Sequence, residues 1–189
     1  RPREEKGIDA MKERVQLFAN VVLFLMATLL LGTFQTSLWF QVVGYFPGPA
    51  LWVTCLIYVS LFRSTLETVI FAYMTAFVLA TMTAMPEGLL MVTCLALALS
   101  AQVFKQRIFW PGASYSMLIC GLGALFFHLF YWTASFVIGD LPVSKPQIID
   151  WLIEALLTPL AAPILFPVYH WIDKMTNREQ AADASARVT

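Results

Sequence analysis

"LLGTFQTSLWFQVVGYFPGPALWV", residues 30–53, decides how this chain folds. The sequence on either side is almost uniformly apolar, yet inside it stand Gln35, Thr36, Ser37 and Gln41, followed by Pro-Gly-Pro at 47–49. A helix running from Val15 to Phe46 would be about 48 Å long, against a hydrocarbon core about 30 Å thick. The stretch therefore reads as the end of one membrane span and the approach to the next. Thr33, Ser37, Gln41 and Gly44 share one side of a helical wheel. Residues 34–48 are thus expected to form either a polar, amphipathic segment at the outer interface, with Trp39 and Tyr45 at headgroup level and residues 47–49 turning the chain back, or simply the polar outer end of a tilted first helix.

The flanking composition is that of a bilayer protein. Hydrophobic residues make up 59% of the 189 and charged residues 13%, with mean hydropathy +0.72, whereas soluble domains carry about 25% charged residues. A net charge of zero gives no general attraction to nucleic acid. Apolar runs predict spans near 15–33, 49–62, 66–84, 88–104, 110–138 and 147–171, the second of them short. The expectation is an all-α integral membrane protein of six transmembrane helices. Residues 1–14 form a charged N-terminal segment, 15–171 the membrane domain and 172–189 a flexible tail.

Charge placement supports that count. With six spans, Arg1, Arg3, Lys6, Lys12, Arg14, Arg63, Lys105, Arg107, Lys174, Arg178 and Arg187 all fall on one face, and Lys145 alone lies opposite. Cations close to spans stay cytoplasmic, so both termini are expected there. The first span, with a long apolar run and no small-residue cleavage site after it, reads as a retained signal anchor. Cys55, Cys94 and Cys120 lie within spans, odd in number and without paired spacing, which points to neither a disulfide framework nor a metal site.

Three helical stripes carry the remaining information. Thr68, Ala72, Ala76, Ala80, Ala84 and Gly88 recur every four residues, a seam that lets helices approach closely; it serves packing inside the bundle, or, over Ala72, Ala76 and Ala80, a partner's helix. Gly112, Ser116, Cys120 and Ala124 repeat the device and lead to His128 on the same stripe. In the last span Asp150 and Glu154 lie one turn apart, ahead of Pro159, Pro163 and Pro167, which are expected to bend or partly unwind that helix. Ionisable groups at membrane depth face an interior or a wet cavity. Gln35, Gln41, His128, Asp150 and Glu154 all fall toward the outer half, and a hydrogen bond between His128 and Glu154 is within reach. No Ser-His-acid set, phosphate loop or metal-ligand spacing accompanies them, so neither catalytic residues, metal nor cofactor is expected.

A first span ending in Gln ("LLLGTFQTSLWF"), Gly44 soon after, a Pro opening the second span (Pro47 or Pro49), six spans in under 200 residues and a Pro-rich last span resemble the rod shape-determining MreD family. The Asp that commonly follows that family's Pro is absent from "PGPALWV", and its Gly-rich third span is replaced by "ETVIFAYMTAFVLATMTAMPEG", the pattern of a divergent member. The resemblance implies a non-enzymatic scaffold of the cell-elongation, peptidoglycan-synthesis complex in the bacterial inner membrane. It implies binding to the single-span protein MreC, and links to MreB and to RodA with its partner transpeptidase. Trp39 and Phe46 would then offer outer contact surface. The alternative is a substrate-capturing subunit similar to the S components of vitamin importers, for which the outer polar residues would line a pocket.

Overall fold

The computed structural model describes residues 2–107, 112–138 and 147–176, with side chains described at 11, 15–107, 112–137 and 147–176. Expectations for the cations of 1–14, for Lys145 and for the tail beyond 176 lie outside those described side chains. All regular structure among the described residues is helical. Helix α1 spans Pro2–Thr33 and runs unbroken through a π-helical turn, Phe34–Leu38, into the short α2, Trp39–Val43. Then come α3 (Leu51–Phe62), α4 (Thr65–Met82), α5 (Glu87–Arg107), α6 (Ala113–Ile138) and α7 (Ile148–Met175).

Five helices are long and apolar enough to cross a membrane: Val15–Val43 and α4 to α7. The expected second span is the 12-residue α3, about 18 Å long at 1.5 Å per residue. Local chemistry sets several ends. Ser64 caps α4 by accepting the Glu67 N–H, and Glu67 adds a carboxylate to the positive end of the helix dipole. Lys105 and Arg107 occupy the last turn of α5, where cations suit the negative end. Gly44, at φ +79°, takes a left-handed conformation to stop α2.

Of the two readings of the polar stretch, the continuous helix is the one seen. The first helix does not break at its polar stretch; the π turn absorbs it, and Thr33 and Thr36 return their hydroxyls to the carbonyls of Leu29 and Gly32 at 2.8 and 2.9 Å. The partial unwinding expected of α7 is corrected: it stays helical through Pro159, Pro163 and Pro167. Each proline withdraws only one backbone donor, and close neighbours replace the lost packing.

Contacts fix the direction of each helix. At one end Asn20 meets Asp173 and Thr176, Arg63 joins them, and Thr65 and Thr68 bond Gln102. At the other, Gln35 meets Glu154, which also meets His128, and Thr33 lies beside Met82. So α1, α4 and α6 run one way and α3, α5 and α7 return. Helix α3 is enclosed: 11 of its 12 residues are buried, with α1, α4, α5, α6 and α7 packed around it. Its Tyr58 stacks on Phe24 and leans on Tyr169, whose hydroxyl lies 2.9 Å from Thr54 Oγ1.

The bundle is apolar outside and dotted with hydroxyls within. Phe18, Leu66, Leu156 and Ile164 are each about 70% exposed, while Thr28, Thr54, Ser60, Thr68, Thr93 and Thr158 are wholly buried. Ser60 and Thr93 return their hydroxyl hydrogens to the carbonyls of Leu56 and Leu89, one turn back, so burial leaves them satisfied. That distribution suits a lipid exterior, where side-chain packing and polar contacts hold helices together in place of the hydrophobic effect.

The α4 seam is turned inward. Ala72 and Ala76 are fully buried and Ala80 is half-buried, because α1, α3 and α5 pack over that face. A partner's helix therefore has no access to Ala72 and Ala76, and the surface α4 presents outward is Leu66, Ile70, Tyr73, Met74 and Phe77. Ala84 and Gly88 fall outside α4 altogether. The α6 stripe behaves likewise: Ser116, Cys120 and Ala124 are buried and aim His128 into the bundle.

Candidate functional site

The π turn positions the site. Its wider turn changes the angular register of the helix that follows, so Gln35 faces α7 while Ser37 and Gln41 are exposed. Gln35 Nε2 donates to Glu154 Oε1 at 3.3 Å, and His128 Nε2 lies 2.8 Å from Glu154 Oε2. One proton bridges that shorter contact, carried by the ring nitrogen or by the carboxyl oxygen. Trp151, one turn before Glu154, stacks on His128 with planes 6° apart and centroids at 5.7 Å. Trp132, one turn after His128, meets Trp151 edge-on at 6.5 Å. The imidazole is thereby held between its carboxylate and the Trp151 indole, which Trp132 abuts.

Thr158 ties this cluster to the core. Its hydroxyl donates to the Glu154 carbonyl at 2.7 Å and accepts the Ala50 N–H at 2.9 Å. The start of α3 and the backbone of Glu154 are therefore linked by one side chain.

Two cavities flank the cluster. One, of about 190 Å³, lies inside the bundle and is lined by Gln35, Trp52, Leu79, Phe127, His128 and Glu154 among others. The second, of about 290 Å³, sits under the α2 hairpin and is roofed by Trp39, Phe40, Tyr45 and Phe46. Gln35, Thr36 and Glu154 border both. The hairpin roof is fixed by Trp39, whose Nε1–H donates to the Phe46 carbonyl at 3.0 Å. Phe40 and Tyr45 meet edge-on at 5.3 Å, and Tyr45 is 94% exposed.

At the opposite end is a network that the sequence reading did not single out. Arg63 pairs with Asp173, and both side chains are more than nine-tenths buried. Arg63 also donates to Asn20 Oδ1 at 2.9 Å, Asn20 Nδ2 donates to Asp173 Oδ1 at 3.0 Å and to Thr176 Oγ1 at 2.7 Å, and Tyr58 OH donates to Asp173 Oδ2 at 2.8 Å. The Arg63 guanidinium also sits 6.0 Å from the Phe24 ring centroid. A buried charge pair must be this well hydrogen-bonded to offset desolvation. Arg63, read from sequence as a loop cation, is thus a structural clamp joining α1, α3 and α7.

No family model, curated protein or solved structure matches the chain.

Of the five polar residues expected in the outer half, Gln35, His128 and Glu154 come together. Gln41 is exposed on α2, and Asp150 is half-buried in the first turn of α7 with no side-chain hydrogen bond to the described residues. Trp39 is a clamp within the hairpin more than a free contact, whereas Phe46, 49% exposed, remains available. Asn20 is the residue whose signal was readable: an amide one turn inside an apolar run requires a partner.

Proposed function

We propose that this chain is a non-catalytic, multi-pass membrane scaffold of the MreD type, acting in the cell-elongation complex of a bacterial inner membrane. It crosses six times with both termini cytoplasmic, α3 serving as the short second crossing. The alternating helix directions and the gathering of Asn20, Arg63, Gln102 and Asp173 at one end support that path. The scaffold reading rests above all on the aromatic hairpin. Phe40, Tyr45 and Phe46 are exposed at the end of the first membrane helix and the turn that follows, which Trp39 holds, and they form an aromatic contact surface there. A single-span protein of the MreC type is the partner proposed for it, with MreB, RodA and its transpeptidase joined through that complex.

Vitamin capture, the other reading, is less well supported. The inner cavity, at about 190 Å³, falls below the roughly 300–1,000 Å³ typical of sites for larger ligands. Deleting the gene distinguishes the two: conversion of rods to spheres, with loss of an MreC-like protein from the membrane complex, is expected of the scaffold. A normal shape together with a single-vitamin requirement would overturn it.

A further inference from the structure

We infer that the inner cavity beside Gln35 and Glu154 is a binding site for a small organic cation carrying a primary ammonium group. The inference stands apart from the scaffold reading, because it concerns the interior of the bundle and not the hairpin surface.

Gln35 spends its amide N–H on Glu154, and the carboxylate fixes which end of the amide faces it. That leaves Gln35 Oε1 buried with no partner among the described residues, an arrangement that costs free energy until a donor arrives. Thr36 and Thr83, which also border the cavity, donate their hydroxyl hydrogens to the carbonyls of Gly32 and Leu79. Their oxygens keep only acceptor capacity. Glu154 Oε1 accepts from Gln35 and Oε2 shares a proton with His128, and each oxygen can accept another hydrogen bond. These four residues therefore offer oxygens to a guest and withhold hydrogens. A guest with three N–H donors on one atom fits that demand.

Charge and wall chemistry narrow the class. Among the described residues no Lys or Arg borders the cavity, so apart from its contact with His128 the Glu154 carboxylate has no cation beside it, and a guest cation would supply one. The remaining walls are apolar and aromatic: Trp52 and Phe127, edge-on at 4.7 Å, with Leu79, Met82 and Leu90. Aromatic faces stabilise ammonium groups, and aliphatic walls suit a short carbon stem. A bare metal ion is a poorer match, since no cluster of three or more His, Cys, Asp or Glu able to hold one occurs among the described residues. The hairpin cavity adjoins the inner one across Gln35, Thr36 and Glu154.

The test is calorimetric titration of the full chain in detergent with n-propylammonium chloride. Propionate, 1-propanol and sodium chloride at matched concentration are the comparisons. Saturable binding of propylammonium alone is expected, weakened at least tenfold by Glu154→Gln and several-fold by Gln35→Leu, and unchanged by Gln41→Leu on the exposed face of α2. Should Glu154→Gln fail to fold, Gln35→Leu carries the test, since it leaves the His128–Glu154 contact intact. Equal binding of 1-propanol, a response reproduced by sodium chloride, or full affinity in a folded Glu154→Gln or Gln35→Leu variant would overturn the inference.

Discussion

Gln35 and Glu154, 119 residues apart in sequence, meet at 3.3 Å and form the partition between the hairpin cavity and the cavity inside the bundle. Removing the amide opens that partition. Gln35→Ala is expected to raise the rate at which a water-soluble carbodiimide modifies Glu154 several-fold, followed by mass spectrometry of the α7 peptide. The stability loss should be about 1 kcal/mol, the net worth of one hydrogen bond. An unchanged modification rate would mean that Glu154 is reached by some other path.

The Arg63–Asp173 clamp predicts an asymmetry between single and double substitutions. Asp173→Ala leaves a buried guanidinium without its carboxylate and should cost about 3–5 kcal/mol. Replacing both groups with apolar residues, Arg63→Met with Asp173→Leu, removes the uncompensated charge and should cost clearly less. Thermal unfolding in detergent measures both. A double variant as unstable as Asp173→Ala would show that hydrogen bonds to Asn20 and Tyr58, not charge pairing, dominate the clamp.

The approach of α6 to α7 depends on Gly121. A Cβ there would lie 2.7 Å from Pro159 Cγ and 3.0 Å from the Ala155 carbonyl oxygen, and neither a proline ring nor a helix backbone yields easily. Gly121→Ala should therefore destabilise by about 1–3 kcal/mol. At Gly123 the nearest atom is Ile57 Cδ1 at 2.4 Å, the tip of a side chain that borders an apolar groove of about 480 Å³ and can move into it. Gly123→Ala is expected to cost less than Gly121→Ala in the same melting experiment, despite the shorter distance.

Whether α3 counts as a crossing is decided by two cysteines. Tyr45→Cys, on the exposed hairpin, and Gln106→Cys, in the last turn of α5, are separated by α3, α4 and α5. Three crossings put them on opposite faces; two would put them on the same one. The native Cys55, Cys94 and Cys120 are buried, so they give little background. With an impermeant maleimide on intact cells, Tyr45→Cys should label and Gln106→Cys should not until the membrane is opened.

Hydropathy made the long helices legible because a lipid exterior demands continuous apolar sequence, and α4 to α7 lie within a few residues of the expected spans. The stripe ending at His128 was legible for a related reason: small residues every four positions marked the inward face of α6. That face met Glu154 because an ionisable group inside the bundle requires a partner. Other features left no such trace. Helix α3 is apolar on every side, so nothing in its pattern separates burial in protein from contact with lipid. The π turn has no composition of its own, and without it a helical wheel puts Ser37 and Gln41, not Gln35, on the significant face. Asp173 sits in "WIDKM", where a neighbouring Lys makes it look like part of a solvated helix end.

Because α3 is walled in by five other helices, it has no side of its own to offer to lipid while the polypeptide is still being made. Tyr169, the partner of the Thr54 hydroxyl, follows it by 115 residues, a wait of roughly 6 to 23 s at about 5–20 residues per second. The packing of this segment must therefore stay provisional until the closing helices arrive and seal it in.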